Sequence, residues 1–274
     1  MRVLTVFALA TALLSACASA PPQPAAIAQY ERDMNRAQDR FHEGRLLAAA
    51  AAYRQAVAAG ERYDDAARLA PALLGLAAVA LELEEFAEAG SHYREAVREA
   101  DRAGLPGLRL NAEVGAAETV RRSGDCRAAS VAGQALLARG PEPGVAARIQ
   151  LLLANCLTAG GDPRAALATL YAPADTQSPG LQAARLASEA AAHLALGDAL
   201  AARQAAEAAL AIDKHDRHPP AIAADHRLLA EIAAGAGDPD SALAHALRAW
   251  RIFRHTGQSR AASRLLAAFP AITK

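Results

Sequence analysis

From Tyr30 to Phe269 the apolar residues of this chain recur every three or four positions, and its alanine-rich stretches are broken by Arg, Glu and Gln at the same interval. That is the period of an α-helix with one covered face, not the alternation of a strand. Six turn signals punctuate the pattern at Gly44, Glu84, Gly124, Gly161, Gly197 and Gly237, separated by 40, 40, 37, 36 and 40 residues. Asp follows the last four, in GDCRAA, GDPRAA, GDALAA and GDPDSA. Five residues after each turn stands an alanine (Ala49, Ala89, Ala129, Ala166, Ala202, Ala242), and seven residues before each stands another (Ala37, Ala77, Ala117, Ala154, Ala190, Ala230). Small residues at matching positions on both sides of a turn let two antiparallel helices cross at short range. The pattern therefore predicts an all-α chain of six helical hairpins, at about 30–62, 70–103, 107–139, 144–172, 181–212 and 219–256. A terminal helix from Gln258 to Phe269 follows, with an apolar face for the last hairpin and a polar face for water, as a capping helix requires.

Tyr53 and Tyr93 each stand four residues after the small residue of a second helix, and a further small residue follows at Ala56, Ala96, Ala209 and Ala249. This arrangement resembles the tetratricopeptide repeat over about residues 30–257. The early aromatic of that repeat is replaced by Asp33, Leu73, Glu113, Gln150, Leu186 and His226, and the late one by Gly133, Leu170, Ala206 and Ala246. The family period is about 34 residues, so each unit here carries a few more. These are expected in longer second helices and in loops such as RGPEPG and YAPADTQSPG. The resemblance implies a right-handed superhelix whose first helices line a concave groove that binds proteins or peptides. By that geometry Asn111, Glu118, Arg121, Arg122, Arg148 and Asn155 line the middle of the groove. Asn155 falls where some clamps of this family hold a peptide C-terminus, although their partnering Lys is replaced by Leu151.

The first residues carry a different signal. Met1-Arg2 is a short positive end, and Val3 to Ala16 is apolar but shorter than the roughly 20 residues of a spanning helix. Leu14-Ser15-Ala16-Cys17 resembles the lipobox of bacterial lipoproteins. That resemblance implies a signal peptide over 1–16, lipidation of Cys17, and an outer-membrane anchor facing the periplasm, since residue 18 is Ala and not Asp. An ordinary secretory signal cut after Ala18-Ser19-Ala20 is the competing reading. ASAPPQPAAIAQ, with three prolines, is expected to be an extended tether over 17–29 joining the anchor to the solenoid at 30–257 and the capping segment at 258–274.

Composition narrows the function. Lys and Arg number 29 against 29 Asp and Glu, so there is no basic footprint for nucleic acid. No H-E-x-x-H, G-x-S-x-G, phosphate loop or C-x-x-C occurs, and no catalytic residue, metal ligand set, cofactor or small-molecule substrate is assigned. GAGDPD at 235–240 is a turn and helix start. DKHDRH, from Asp213 to His218, has metal-ligand chemistry but sits before Pro219-Pro220, where a solvated loop explains it. His193 and His226 are expected as packing histidines on helices. Cys126 and Cys156 fall at the same end of neighbouring helices, as a disulfide or as two buried thiols. The expected function is a lipid-anchored periplasmic scaffold for protein or peptide partners and not an enzyme. Lipoproteins of this build serve outer-membrane, pilus or secretion assembly, or act as adaptors of peptidoglycan hydrolases and synthases. An enzyme with an unrecognised metal site at His215 and His218 is the remaining alternative.

Overall fold

A computed structural model describes residues 25–171 and 178–273. Cys17, the signal segment and most of the tether lie outside the described residues. Thirteen α-helices follow one another with no strand among the described residues: α1 (Ala25–His42), α2 (Leu46–Arg62), α3 (Ala66–Glu82), α4 (Phe86–Arg102), α5 (Pro106–Arg122), α6 (Cys126–Leu137), α7 (Pro143–Ala159), α8 (Pro163–Leu170), α9 (Pro179–Ala195), α10 (Ala199–His215), α11 (Pro219–Gly235), α12 (Pro239–Thr256) and α13 (Ser259–Ala268). A short 3-10 turn, Pro270–Thr273, closes the chain. The six hairpins are those of the hydrophobic pattern. Two starts differ. Helix α1 begins at Ala25, inside the segment expected to be extended, because the last proline is Pro24 and Ala-Ala-Ile-Ala are free to coil. Helix α3 begins at Ala66 and carries Pro71 in its interior, because the Asp65 side chain caps it by accepting from the Arg68 N–H at 3.2 Å.

The turns explain the GD dipeptides. Gly44, Gly124, Gly161, Gly197 and Gly237 all have positive φ, between 70° and 107°, which closes the first helix with a left-handed residue. At Gly124, for instance, the Asp125 N–H returns to the Val120 carbonyl and the Gly124 N–H to that of Arg121. The Asp that follows caps the second helix, with Asp125, Asp162, Asp198 and Asp238 accepting from Ala128, Ala165, Ala201 and Ser241 at 2.9–3.0 Å. Glu84 occupies the same left-handed position at φ 59°, which for a residue with a Cβ costs about 1 kcal/mol.

All twelve alanines that flank the turns are buried, none more than 4% exposed. The tyrosines fill the space between hairpins. A Cβ placed on Gly75 would lie 2.3 Å from Cε1 of Tyr53, and one on Gly115 would lie 2.2 Å from Cε1 of Tyr93. Each ring thus packs directly against the backbone of the next hairpin's first helix, at a glycine nine residues before its turn. In the next interface the sizes are exchanged, with Gly133 at the tyrosine position and Leu152 at the glycine position. Leu170 with Ser188 and Ala206 with Leu228 continue the series, so the summed volume is roughly kept while the partners change.

Curvature follows from which helices touch. The first helices of successive hairpins pack on one another, α1 on α3, α3 on α5, α5 on α7, α7 on α9 and α9 on α11, whereas second helices of successive hairpins make no comparable contact. The first helices therefore form the inner face of a superhelix. The array turns far enough for its ends to meet. Pro219 and the Thr256 methyl lie against Gly44, so a Cβ there would stand 3.0 and 3.1 Å from them, and Gly257 lies against Leu47 in the same way. The rings of Phe41 and His218 are 6.4 Å apart. Gln258 donates to the Glu82 carbonyl at 3.1 Å, and Arg264 clasps the Glu84 carboxylate.

Candidate functional site

The inner face at α3, α5 and α7 carries a band of polar side chains over a buried floor. The floor is Tyr93, 4% exposed, whose hydroxyl is pushed up to about pKa 12 by burial, with Arg148, Glu82, Glu118 and Arg122 as the charges that act on it. Phenol ionisation has no part at neutral pH. Those four charged groups are consequently gathered at one place, and three of them, Glu118, Arg122 and Arg148, were expected in the groove. Tyr93 and Glu82 complete the site. Tyr93 was visible only as a packing residue, and Glu82 became part of the site because α3 ends beside α5.

Two neighbouring arginines diverge. Successive residues of a helix point about 100° apart, so Arg121 and Arg122 leave α5 in different directions. Arg122 reaches back to α3 and donates to Glu82 at 2.9 Å. Arg121 donates twice to Glu118, at 2.8 and 2.6 Å, and turns toward Cys126 and Cys156. The joint cationic patch of Arg121, Arg122 and Arg148 is therefore narrower than expected, because two of the three guanidiniums already hold carboxylates. Arg148 on α7 is exposed and donates to Asn111 Oδ1 on α5 at 2.7 Å. Asn111 in turn donates to the Gly107 carbonyl at 3.0 Å. Among the described residues no carboxylate lies within ion-pair distance of Arg148, so two acids and three arginines leave its charge in excess. Asn155 sits half-buried on α7, seven residues and two turns beyond Arg148 on the same helical face. What the arrangement can do is hold a carboxylate or an acidic stretch of chain on the Arg148 fork, beside the Arg122–Glu82 pair.

Cys126 and Cys156 meet as two thiols at the interface of α6 and α7. Burial pushes the Cys156 thiol up to about 11, the contact with Cys126 adding to it, while Ser130 and Arg121 act in the opposite direction. The proximity expected from hairpin stacking is present; the bridge is not formed in this structure.

The DKHDRH stretch separates instead of converging. Asp213 turns inward on α10 and faces Asp225 of α11, His215 is exposed and lies 3.1 Å from Asp216, and His218 stands at the N-cap position of α11 without a side-chain capping bond, its ring beside that of Phe41. Among the described residues no group of three or more His, Cys, Asp or Glu is placed to hold a metal ion. Burial and the Asp213 carboxylate push Asp225 up to about 8, and its Oδ2 has no hydrogen-bond partner. His226 is buried and its Nδ1 stands 3.0 Å from Nδ1 of His245, so one ring donates and the other accepts. Burial, then His245, Lys214 and Arg248, push His226 down to about 4. His193 is half-buried, 4.0 Å from Asp198.

No family model and no curated protein matches the chain. Three solved structures align with it over most of its length. A crystal structure of Rap protein complexed with competence and sporulation factor shares 15% identity over 86% of this chain at a TM-score of 0.46, and this chain spans 57% of that one. BtubC from P. vanneervenii shares 21% identity over 84% of this chain and 91% of its own, at a TM-score of 0.48. The TPR2AB domain of yeast Sti1 in its pHSP90 complex shares 14% over 90% of this chain and 99% of its own, at 0.39.

Proposed function

We propose that the chain is a binding scaffold, not an enzyme, which holds an extended acidic or C-terminal segment of a partner protein against the inner face of α3, α5 and α7. The supporting observation is Arg148. An exposed guanidinium without a carboxylate, kept in place by Asn111 over a rigid tyrosine floor, is preorganised for an anionic group that comes from outside the chain. The lipobox-like Leu14-Ser15-Ala16-Cys17 supports a lipid anchor at residue 17, and with Ala18 it supports an outer-membrane address on the periplasmic side. Among the described residues no helix is long and apolar enough to cross a membrane, so in this reading the lipid is the attachment. Pilus, secretion or outer-membrane assembly is the setting this build suits.

The experiment is crosslinking capture with the anchored protein as bait, comparing wild type with Arg122→Ala/Arg148→Ala. The double variant should keep its helical circular dichroism and lose partner capture at least tenfold, and wild-type capture should weaken as salt rises. Equal capture by both would move the binding surface away from this groove. Cys17→Ala should in parallel abolish fatty-acid labelling and leave unprocessed precursor; an unlabelled wild type with a processed mutant would establish the secretory alternative.

A further inference from the structure

The groove and the C-terminal helix share three consecutive residues. The Glu82 carboxylate accepts from Arg122 on the inner face, while the Glu82 carbonyl accepts from Gln258 at 3.1 Å. The amide of Gln258 is held at both its nitrogen and its oxygen, since its Oε1 also accepts from the Thr256 hydroxyl at 2.8 Å, and the residue is only 4% exposed. One and two residues on, the carbonyls of Leu83 and Glu84 accept from Arg260 at 3.4 and 2.9 Å. The Glu84 carboxylate, buried, is held by both terminal nitrogens of Arg264. These contacts join residues about 180 positions apart in the chain.

Glu84 is the informative residue. Its five counterparts are glycines, which make the left-handed turn without strain, and a glutamate in that conformation is retained against a backbone cost. Its carboxylate accounts for the choice, because that group is what α13 grips. The turn of the second hairpin is thus built for docking as well as for reversal.

We infer that α13 is a latch which closes the superhelix on the second hairpin, and that latch and groove are coupled through residues 82–84. The inference rests on the reading of the groove as a partner site. With the latch closed, Gln258 and Arg260 hold the end of α3 in place and keep the Glu82 carboxylate on Arg122, so one guanidinium of the groove stays neutralised. An acidic partner that takes Arg122 must displace Glu82, and the movement reaches the latch within two residues. By reciprocity an opened latch frees Glu82 and strengthens the grip on an acidic partner. The groove would then exist in a closed form with one free guanidinium, Arg148, and an open form with two.

Hydrogen exchange of the full chain, without any partner, tests this. Glu84→Gly deletes the carboxylate and relaxes the turn, so the fold should melt no lower than wild type while the amides of α13 exchange at least tenfold faster. Arg122→Ala, which touches only the groove side of Glu82, should speed α13 exchange several-fold. Arg139→Ala breaks an ion pair with Glu113 remote from residues 82–84 and should leave α13 unchanged. If α13 stays as protected in Glu84→Gly as in wild type, there is no latch. If Glu84→Gly opens α13 and Arg122→Ala does not, or if Arg139→Ala opens it equally, the coupling is overturned. Because no partner enters the assay, a failed latch leaves the scaffold reading standing, and failed partner capture leaves the latch standing.

Discussion

Replacing Gly115 by alanine should destabilise the protein, although alanine is the better helix former. The added Cβ would fall 2.2 Å from Cε1 and 2.4 Å from Cζ of Tyr93, more than 1 Å inside the 3.4–4 Å of ordinary contact. Tyr93 cannot swing away, because its ring is 4% exposed and packed among Leu69, Leu73, Ala77, Ala89, Ala96 and Ala112. Overpacking of this kind costs about 1–3 kcal/mol and occasionally more, and a steric overlap so deep belongs at the upper end. Helix propensity returns at most about 1 kcal/mol. The net loss is about 2 kcal/mol, or roughly 4–8 °C in melting temperature for a chain of this size. Two controls set the scale. Gly107 lies on the same helix with nothing within 4 Å of a Cβ, so Gly107→Ala should stabilise slightly. Gly133 would meet the flexible ends of Leu153 and Leu152 at 3.1 and 3.2 Å, so Gly133→Ala should be nearly neutral. Urea titration followed by circular dichroism at 222 nm measures all three. A Gly115→Ala variant as stable as Gly107→Ala would refute the tyrosine-on-glycine account of hairpin stacking.

The other predictions concern buried titratable groups. Asp225 keeps its proton in the folded state up to about pH 8 but loses it near 3.8 when unfolded, so the unfolded state binds fewer protons between those values and stability falls as pH rises from about 4 to 8. Asp225→Asn should therefore raise stability at pH 8 by on the order of 2 kcal/mol, with the gain vanishing near pH 4; no gain in melting temperature at pH 8 would contradict it. His226 has the opposite sign: with its folded value near 4 against 6.5 unfolded, the unfolded state binds more protons in that window, and stability is lost as pH falls from about 6.5 to 4. His226→Gln should flatten that acid limb in melts taken across pH 4–7. The Cys156 thiol, held protonated to about pH 11, should react with iodoacetamide far more slowly in the native state than after denaturation. If an oxidising compartment has joined it to Cys126, neither residue of denatured, unreduced protein will label.

Much of the fold was legible because one solution is repeated six times. A left-handed residue, an Asp cap and two crossing alanines are local requirements, and a local requirement repeated at a fixed period stands out of a single sequence. The tyrosine floor is half legible: Tyr53 and Tyr93 stand out at a repeat position, but Gly75 and Gly115, 22 residues after each, look like ordinary helix glycines until the rings are seen seated on them. The divergence of Arg121 and Arg122 follows from helical geometry alone. What no pattern in the sequence announces is closure. Gln258, Arg260 and Arg264 meet residues 82–84 through the accumulated rotation of four intervening hairpins, and accumulated rotation has no local signature. Its one trace is the departure at Glu84, a charged residue where the repeat wants glycine.

A solenoid has two ends, each with an apolar face that stacking leaves uncovered, and an ordinary array spends a polar capping helix on each. Here α13 covers the last hairpin with Ala261, Ala262 and Leu265 and turns Arg260 and Arg264 to the second hairpin, so the cap of one end is also the link to the other. Two of the groups that cost folding energy lie along that closure. Glu84 is strained in the turn that receives α13, and the paired carboxylates of Asp213 and Asp225 flank the α10–α11 turn, where Pro219 touches Gly44. The groove side carries costs of its own, since Tyr93 is pressed onto Gly115 and beside it the buried His92 Nδ1 has no hydrogen-bond partner. A surface that must recognise a partner gains from stiffness, while a closure that must open gains from being only marginally preferred, and strain and buried charge are the means by which a folded chain brings two of its states close in energy.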